Sequence, residues 1–152
     1  MEKRNLILII VLIFGGNLWA EEVTVYRDEY GVPHIFAGSE EALCYGAGYA
    51  QAEDRLEELL KNYLRAEGRM AEVFGGEYFQ DDYLAKTFRH AAVSREKYQN
   101  INIQVRGCIE AFVQGVRTFM QDHPEKTPSW ATLPESWHVV ALSRFIMWGW
   151  PL

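Results

Sequence analysis

The sequence predicts a mainly α-helical chain that begins with a short β-hairpin. Three observations support this prediction. The stretch YRDEYGVPHIFA, residues 26–37, places a charged turn between the short apolar segments VTVY and HIFA. Apolar residues recur at helical spacing from Leu56 to Phe74. The segment from Val139 to Trp148 is apolar on nearly every side, which is typical of a helix that is covered all round.

A predicted signal peptide occupies residues 1–20, ahead of these elements. Two basic residues precede an apolar run from Leu6 to Phe14, and the segment ends in LWA. The run is shorter than the roughly 20 apolar residues that a membrane-spanning helix needs. We therefore expect cleavage after Ala20, a periplasmic or secreted chain of residues 21–152, and no stable membrane span. A retained N-terminal anchor is the alternative.

The charge and the cysteines narrow the functional classes. The formal net charge is −6 and becomes −7 when the leader is removed, and no basic cluster is present, so nucleic-acid binding is not expected. Cys44 and Cys108 would lie in an oxidising compartment, where they can form one disulfide. Two buried free thiols are an equal alternative, because both cysteines lie among apolar neighbours in helical patterns.

The hairpin is predicted from its turn residues. Gly31 tolerates a positive φ, and Pro33 favours an extended conformation at Val32, so the local pattern is strand, tight turn, strand. Ser39 then follows as a helix N-cap, with two glutamates in the first turn.

The first helix is predicted to continue from Glu40 to a stop at Gly75-Gly76. The small residues in CYGAGYAQA, residues 44–52, indicate a helix pressed closely against another backbone. Its apolar stripe consists of Leu56, Leu59, Leu60, Tyr63, Ala66, Met70, Val73 and Phe74.

Three further elements follow. A short amphipathic segment spans about Tyr78 to Arg89, and a helix runs from about Ile103 to Gln121. A proline-rich loop then leads to the apolar segment at Val139 to Trp148, whose full burial would need partners outside this chain. The predicted apolar side of the helix from about Ile103 to Gln121 comprises Val105, Ile109, Phe112, Val113, Val116 and Met120.

Catalytic motifs are absent from the sequence. The four histidines are scattered, without the spacing of a metal site, and no serine lies in a G-x-S-x-G elbow. Asp81 and Asp82 are adjacent, so they would point about 100° apart on a helix and are predicted to lie on a solvated face. Taken alone, these residues indicate a helical exported domain and no reaction.

The order of three sequence blocks resembles the N-terminal part of the α-subunit in the penicillin acylase family. The blocks read R-D-x-x-G-V-P-H-I-x-A at 27–37, Y-G-x-G-Y-x-x-A-x-D-R-L at 45–56 and G-R-x-A-E-x-x-G at 68–75. AFVQGVRTFM is similar to a later family helix, where asparagine is common in place of Arg117. LPESWHVVALSRFIMWGW resembles the Pro-x-x-Trp segment that leads to the acyl pocket, with Ala141 where an acid is common.

This resemblance implies an autocatalytically cut precursor of signal peptide, α-subunit, spacer and β-subunit. Such enzymes are N-terminal-nucleophile hydrolases with an αββα core, and this chain would be part of that fold. The nucleophile is the first residue of β, and its own α-amino group is the base, because a free amine titrates near 7.7 to 8 and is partly unprotonated at neutral pH. The family's calcium site draws mainly on β, so calcium is expected, if at all, in the complete enzyme.

The resemblance also assigns residues. No catalytic residue and no metal ligand is expected in this chain, which ends at Leu152, where a full α-subunit would continue. Trp148 and Trp150 are predicted at the approach to the acyl pocket, with ordinary core packing as the alternative. The family-motif residues with predicted structural roles are Arg27, Asp28, Gly31, Pro33, His34, Asp54 and Arg55, of which Asp54 and Arg55 are expected to pair with buried polar groups.

The expected function is therefore that of an incomplete α-subunit of an exported amide hydrolase, inactive alone and partnered by its β-subunit. Its substrates would be small amides with an apolar or aromatic acyl group, such as β-lactams or acyl-homoserine lactones. A non-catalytic helical binding module and a truncated, non-functional gene product are the alternatives.

Overall fold

Helices dominate the structure, a computed structural model that describes residues 8–11 and 22–149. The predicted class, mainly α with a short hairpin near the N-terminus, is confirmed. In chain order the strands are β1 (Leu8–Val11), β2 (Glu22–Arg27) and β3 (Pro33–Ala37), and the helices are α1 (Glu40–Glu67), α2 (Met70–Phe74), α3 (Phe79–Thr87), α4 (His90–Lys97), α5 (Ile103–Asp122) and α6 (Ser136–Gly149).

The three strands form one antiparallel sheet in the order β1-β2-β3. Within the hairpin, Val23 lies opposite Ala37 and Arg27 opposite Pro33. Most of the predicted leader falls outside the described residues, whereas β1, which belongs to it, pairs with β2. Cleavage after Ala20 would remove β1 and leave the β2–β3 hairpin, and that cleavage stays a prediction.

The hairpin lies on the first turns of α1. Alternate residues of β2, Val23 and Val25, are buried and pack with Ala42 and Tyr45. The predicted N-cap is confirmed, because the Ser39 hydroxyl accepts a hydrogen bond from the Ala42 N–H at 3.2 Å.

Helices α1 and α5 cross at glycines. A Cβ atom on Gly48 would overlap the backbone of Phe112, and one on Gly115 would overlap the backbone at Tyr45. The predicted close backbone approach is therefore observed, and glycine is required on both helices at the crossing. Cys44, one turn before Gly48, and Cys108, one turn before Phe112, form a disulfide with their Cα atoms 5.4 Å apart. Of the two alternatives for these cysteines, the disulfide is the one observed.

The main core lies beyond this crossing. The predicted stripe of α1 packs against α5, and the Tyr49 and Phe119 rings meet edge to face with centroids 5.4 Å apart. On α5 the predicted apolar side holds from Ile109 to Met120, with Ile109 and Phe112 partly buried against the core. Val105 is 51% exposed, because it lies in the first turn, away from the core. The buried core residues are Tyr49, Ala52, Leu56, Leu59, Leu60, Tyr63, Val116, Phe119 and Met120.

The predicted single helix from Glu40 to Phe74 is wrong at Gly68. This glycine is left-handed, with φ 70° and ψ 46°, and it ends α1, while the Arg69 N–H donates back to the Leu64 carbonyl. Two helices result, because the chain turns there and starts α2. The apolar stripe gave no sign of the turn, since Ala66 and Met70 are both buried on either side of it.

A second correction concerns Asp82. It was predicted on a solvated helix face, yet it is only 6% exposed, whereas Asp81 is exposed as expected. The Asp82 carboxylate accepts hydrogen bonds from the Met70 N–H at 2.9 Å and the Ala71 N–H at 2.7 Å. It thereby satisfies two backbone donors at the start of α2, which have no partner within the helix.

We expect Asp82→Asn to lower the free energy of unfolding by about 2–3 kcal/mol, because hydrogen bonds to a charged acceptor are worth about 1.5–3 kcal/mol and an amide offers one oxygen where two are used. Asp81→Asn is the matched control and should change stability by less than about 0.5 kcal/mol. Urea unfolding followed by circular dichroism measures both. Equal effects of the two substitutions would contradict the capping role.

Helix α6 is covered only over its first half. Trp137 and Ala141 are buried against α1 and α4, and Trp137 lies under the Arg95 guanidinium at 4.1 Å. Ile146, Met147 and Trp148 are 51%, 75% and 56% exposed. No helix among residues 22–149 is both long and apolar enough to cross a bilayer.

Candidate functional site

A groove with aromatic walls lies between α3, α4 and the end of α6. Its volume is about 160 Å³. The Trp148 ring stacks on Phe88, with centroids 5.2 Å apart and planes inclined by 25°. The groove is lined by Asp81, Leu84, Ala85, Phe88, His90, Phe145 and Trp148. Such walls suit an apolar or aromatic group rather than a charged one.

His90 forms the most buried part of the groove. It is 2% exposed and lies between Phe88 and Phe145, with ring centroids 5.8 and 5.9 Å away. Burial, and then the nearby positive charge of Arg144, lower the pKa of His90 below its ordinary value. The imidazole is therefore neutral at neutral pH, and the groove carries no cation at this residue.

The backbone explains how His90 reaches this place. Arg89, just before it, has φ 56° and ψ 35°, a left-handed conformation that separates α3 from α4 and turns the chain between them. Because Phe88 and His90 flank this turn, both side chains face the groove. Helical and strand periodicity does not relate two residues across such a turn, so no pattern in the sequence predicted that they would meet.

Two contacts place α6, and with it Trp148. The His138 Nδ1 accepts from the Glu135 N–H at 2.7 Å, which leaves the proton on Nε2 to be donated to the Glu67 carboxylate at 2.8 Å. Burial alone would raise the pKa of Glu67, but the hydrogen bonds from His138 and Arg69 and the positive charge of Arg69 lower it below its usual value. This buried pair joins the end of α1 to the start of α6.

Arg117 holds the loop that precedes α6. Its Nε donates to the Pro134 carbonyl at 2.7 Å, so the residue that departs from the family's common asparagine makes a backbone contact here. Ala141, which stands where an acid is common, is fully buried beside Ala66 and Trp137. A larger charged side chain would not fit this packing without moving α6.

Of the two predicted pocket residues, Trp148 and Trp150, the structure describes only the first. Trp148 lines the groove, although it also stacks on Phe88. Trp150 lies outside the described residues. Phe88, His90 and Phe145 were not predicted as site residues. Phe145 lies three positions before Trp148 on the same helix face and could have been found from that spacing.

The family-motif residues of the hairpin organise its turn. The Asp28 carboxylate accepts from the Tyr30 and Val32 N–H groups at 2.9 Å each, and from His34 Nε2 at 3.2 Å. The hydrogen bond from His34 is the largest cause that lowers the pKa of Asp28. Gly31 takes a φ of 80°, which favours glycine there. Pro33 starts β3 opposite Arg27.

Arg27 connects this hairpin to α1. Its guanidinium lies 2.6 Å from the Glu53 carboxylate and 2.9 Å from that of Asp54, and it also donates to the Gly31 carbonyl at 2.8 Å. Asp54 therefore does find a partner, but Asp54 and Arg55 are exposed, so the expected pairing with buried groups is not what the structure has. Arg55 interrupts α1, with φ −148° and ψ 41°.

Metal binding finds no support in this part of the chain. Among residues 22–149, no three His, Cys, Asp or Glu side chains lie close enough together to hold a metal ion. Calcium in the complete enzyme stays a prediction about other parts of the precursor.

Comparison with known proteins gives consistent matches. The family model described as Penicillin amidase matches residues 22–150. The Penicillin acylase 2 proenzyme of Pseudomonas sp. (strain SE83) is 29% identical over 128 residues, which cover 80% of this chain and 16% of that protein. The acyl-homoserine lactone acylase QuiP of Pseudomonas aeruginosa is 27% identical over 109 residues, covering 72% of this chain and 13% of its own length.

A solved structure matches the fold as well. The thermostable penicillin G acylase from Alcaligenes faecalis superposes with a TM-score of 0.76 at 25% identity, covering 88% of this chain and 77% of the matched chain. The chain thus spans about one sixth of the length of the curated proenzyme it matches but most of one solved acylase chain.

Proposed function

This chain belongs to the penicillin amidase family, and on that premise we propose that it is the N-terminal part of the α-subunit of an exported amide hydrolase. The reaction would be hydrolysis of a linear amide, with the nucleophile and base supplied by the first residue of a β-subunit. The 152 residues of this chain would act as scaffold and as one wall of the acyl pocket.

The aromatic groove is the observation that carries this proposal. It is open to solvent beside Trp148, on the helix that the resemblance places at the acyl pocket, and its walls suit an apolar acyl group. Two of the matched relatives are named for penicillins and for acyl-homoserine lactones. We propose that the substrate of the complete enzyme belongs to the same class, amides with an apolar acyl group. We do not choose between penicillins and acyl-homoserine lactones.

The partner surface is the exposed end of α6. Ile146, Met147 and Trp148 together leave a large apolar area uncovered, and burying one such side chain is worth about 1.5–3 kcal/mol. An area of this kind promotes association. We propose that a β-subunit from the same precursor covers it.

The disulfide supports the proposed export. Cys44 and Cys108 are bonded, and disulfides persist in the periplasm and outside the cell but rarely in the cytosol. A periplasmic or secreted location therefore agrees with both the predicted leader and this bond.

We expect the chain alone to show no turnover of a chromogenic phenylacetyl amide, because the family resemblance assigns the nucleophile and its base to the β-subunit. Co-expression with the protein encoded downstream of codon 152 should produce activity. Changing the first residue of that β-subunit to alanine is the matched control, and it should abolish turnover while assembly continues. Turnover by the purified chain alone, lost on mutating one of its own residues, would overturn the proposal. So would an unrelated downstream sequence, which would favour a binding module or a non-functional product.

A further inference from the structure

The hairpin end of the molecule has a smaller core than its middle. Among the described residues, four buried side chains hold β2 and β3 on α1, whereas nine form the main core between α1 and α5. The four are Val23, Val25, Ala42 and Tyr45. A two-stranded hairpin is marginally stable alone in water, and regions with few buried apolar contacts are the first to open. The stability of this end therefore depends on how firmly the first turns of α1 are held to the rest of the chain.

Helix α5 gives these first turns little apolar support. Ile103 and Val105, at the start of α5, are 72% and 51% exposed. A Cβ added at Gly107 would come no closer than 3.5 Å to the Glu41 side chain. Ala111, two turns into α5, is partly buried against the hairpin core. Apolar packing between the start of α5 and the start of α1 is therefore sparse.

The disulfide lies at the boundary between this sparse region and the tight helix crossing. Cys44 precedes Gly48 by one turn, and a Cβ on Gly48 would overlap the backbone of Phe112. Cys108 precedes Phe112 by one turn, and both cysteines are half-buried. The bond is therefore the covalent link that holds the first turns of α1 to α5 ahead of the crossing.

We propose that Cys44 and Cys108 form a redox latch, which holds the hairpin end, residues 22–44, closed on α5 when oxidised and lets it open when reduced. The main core beyond the crossing stays folded in both states, because the cysteines are not among its packed residues. Closing the latch converts two thiols into one disulfide. The two electrons and two protons pass to the disulfide of a thiol–disulfide oxidoreductase, which becomes a dithiol. Oxidised glutathione takes the same role in vitro and yields two molecules of reduced glutathione.

The latch makes the state of the hairpin end depend on the compartment. Thiols are kept reduced in the cytosol, whereas the periplasm and the extracellular space are oxidising. The hairpin end is therefore open before export and closes after it. This consequence rests on the proposed exported location, whereas the latch itself does not.

Hydrogen–deuterium exchange of the oxidised and the reduced chain, followed by mass spectrometry, tests the latch. Reduction destabilises the whole chain, so the informative quantity is the ratio of exchange rates between two regions. On reduction with dithiothreitol, amides of residues 22–44 should accelerate at least about tenfold more than those of residues 52–63, because the hairpin end then opens without the main core. Reoxidation with oxidised glutathione should restore the first ratio. The Cys44→Ala/Cys108→Ala variant should show the reduced ratio with and without dithiothreitol.

The wild-type chain alone decides the outcome, so the test does not depend on the folding of the double variant. Equal acceleration of both regions on reduction, complete unfolding included, would overturn the proposal, because the bond would then act on the whole chain. An unchanged exchange pattern would overturn it too.

Trapping of thiols with a maleimide in cells tests the link to export separately. Both thiols should be free in the cytosolic precursor and bonded in the exported chain. A bonded pair in the cytosol would overturn the link to export and leave the exchange result standing. Absence of amidase activity would contradict the proposed function alone, because neither experiment uses a substrate.

Discussion

Gly48→Ala is expected to lower the free energy of unfolding by about 3 kcal/mol or more, at the upper end of overpacking effects. The added Cβ would overlap the Phe112 carbonyl oxygen and lie 2.7 Å from its carbonyl carbon. Neither atom belongs to a flexible side chain, so α1 and α5 would have to separate. The Cys44–Cys108 disulfide one turn away opposes that separation. Urea unfolding followed by far-ultraviolet circular dichroism measures the effect.

A second glycine of the same helix pair is the control for this experiment. Gly107 lies on α5, and a Cβ there would come no closer than 3.5 Å to a Glu41 side-chain oxygen. Gly107→Ala should therefore stabilise the chain by up to about 1 kcal/mol, because alanine is the better helix former. If Gly48→Ala proves as harmless as Gly107→Ala, the helices do not cross as closely as described.

Removal of the Cys44–Cys108 disulfide is expected to lower the free energy of unfolding more than any other change predicted for this chain. The bond closes a loop between residues 64 apart, and the chain-entropy relation assigns such a loop about 4 kcal/mol of stabilisation. The Cys44→Ala/Cys108→Ala double variant should lose this amount, which is a large part of a domain's net stability of about 5–15 kcal/mol. Chemical denaturation under oxidising conditions is the measurement.

Reductant provides the matched control for this second prediction. Dithiothreitol should destabilise the wild-type chain to about the level of the double variant and leave the double variant unchanged. A wild-type chain whose unfolding midpoint is insensitive to reductant would show that the bond contributes nothing to stability.

The local elements were predictable because each depends on residues close together in the chain. Gly31 and Pro33 were sufficient for the hairpin turn, and Ser39 for the start of α1. The stripe from Leu56 to Tyr63 identified the core face of α1, since neighbours at three and four positions share one side of a helix. The break at Gly68 escaped this reasoning, because an apolar stripe does not reveal whether a glycine within it is helical or left-handed.

The candidate site was predictable only in part. Trp148 came from the family resemblance, whereas Phe88 and His90 lie on the other side of the groove, on elements separated from α6 by the whole of α5. Nothing in their local pattern distinguishes them from core residues. The burial of Asp82 could not be predicted from its local pattern either. Its acidic neighbour and its position on a helix favoured an exposed face, whereas its hydrogen-bond partners lie at the start of α2.

By itself, then, the sequence determined the helical class, the hairpin, the core face of α1 and the family. Only the tertiary structure decided the disulfide, the choice of α5 as the helix that Gly48 approaches, the Glu67–His138 pair and the composition of the groove. The physical reason is the range of the interactions. Capping, turns and helical periodicity act within about one or two turns of the chain. The Glu67–His138 contact joins residues 71 positions apart, so it exists only once α1, α5 and α6 have packed together.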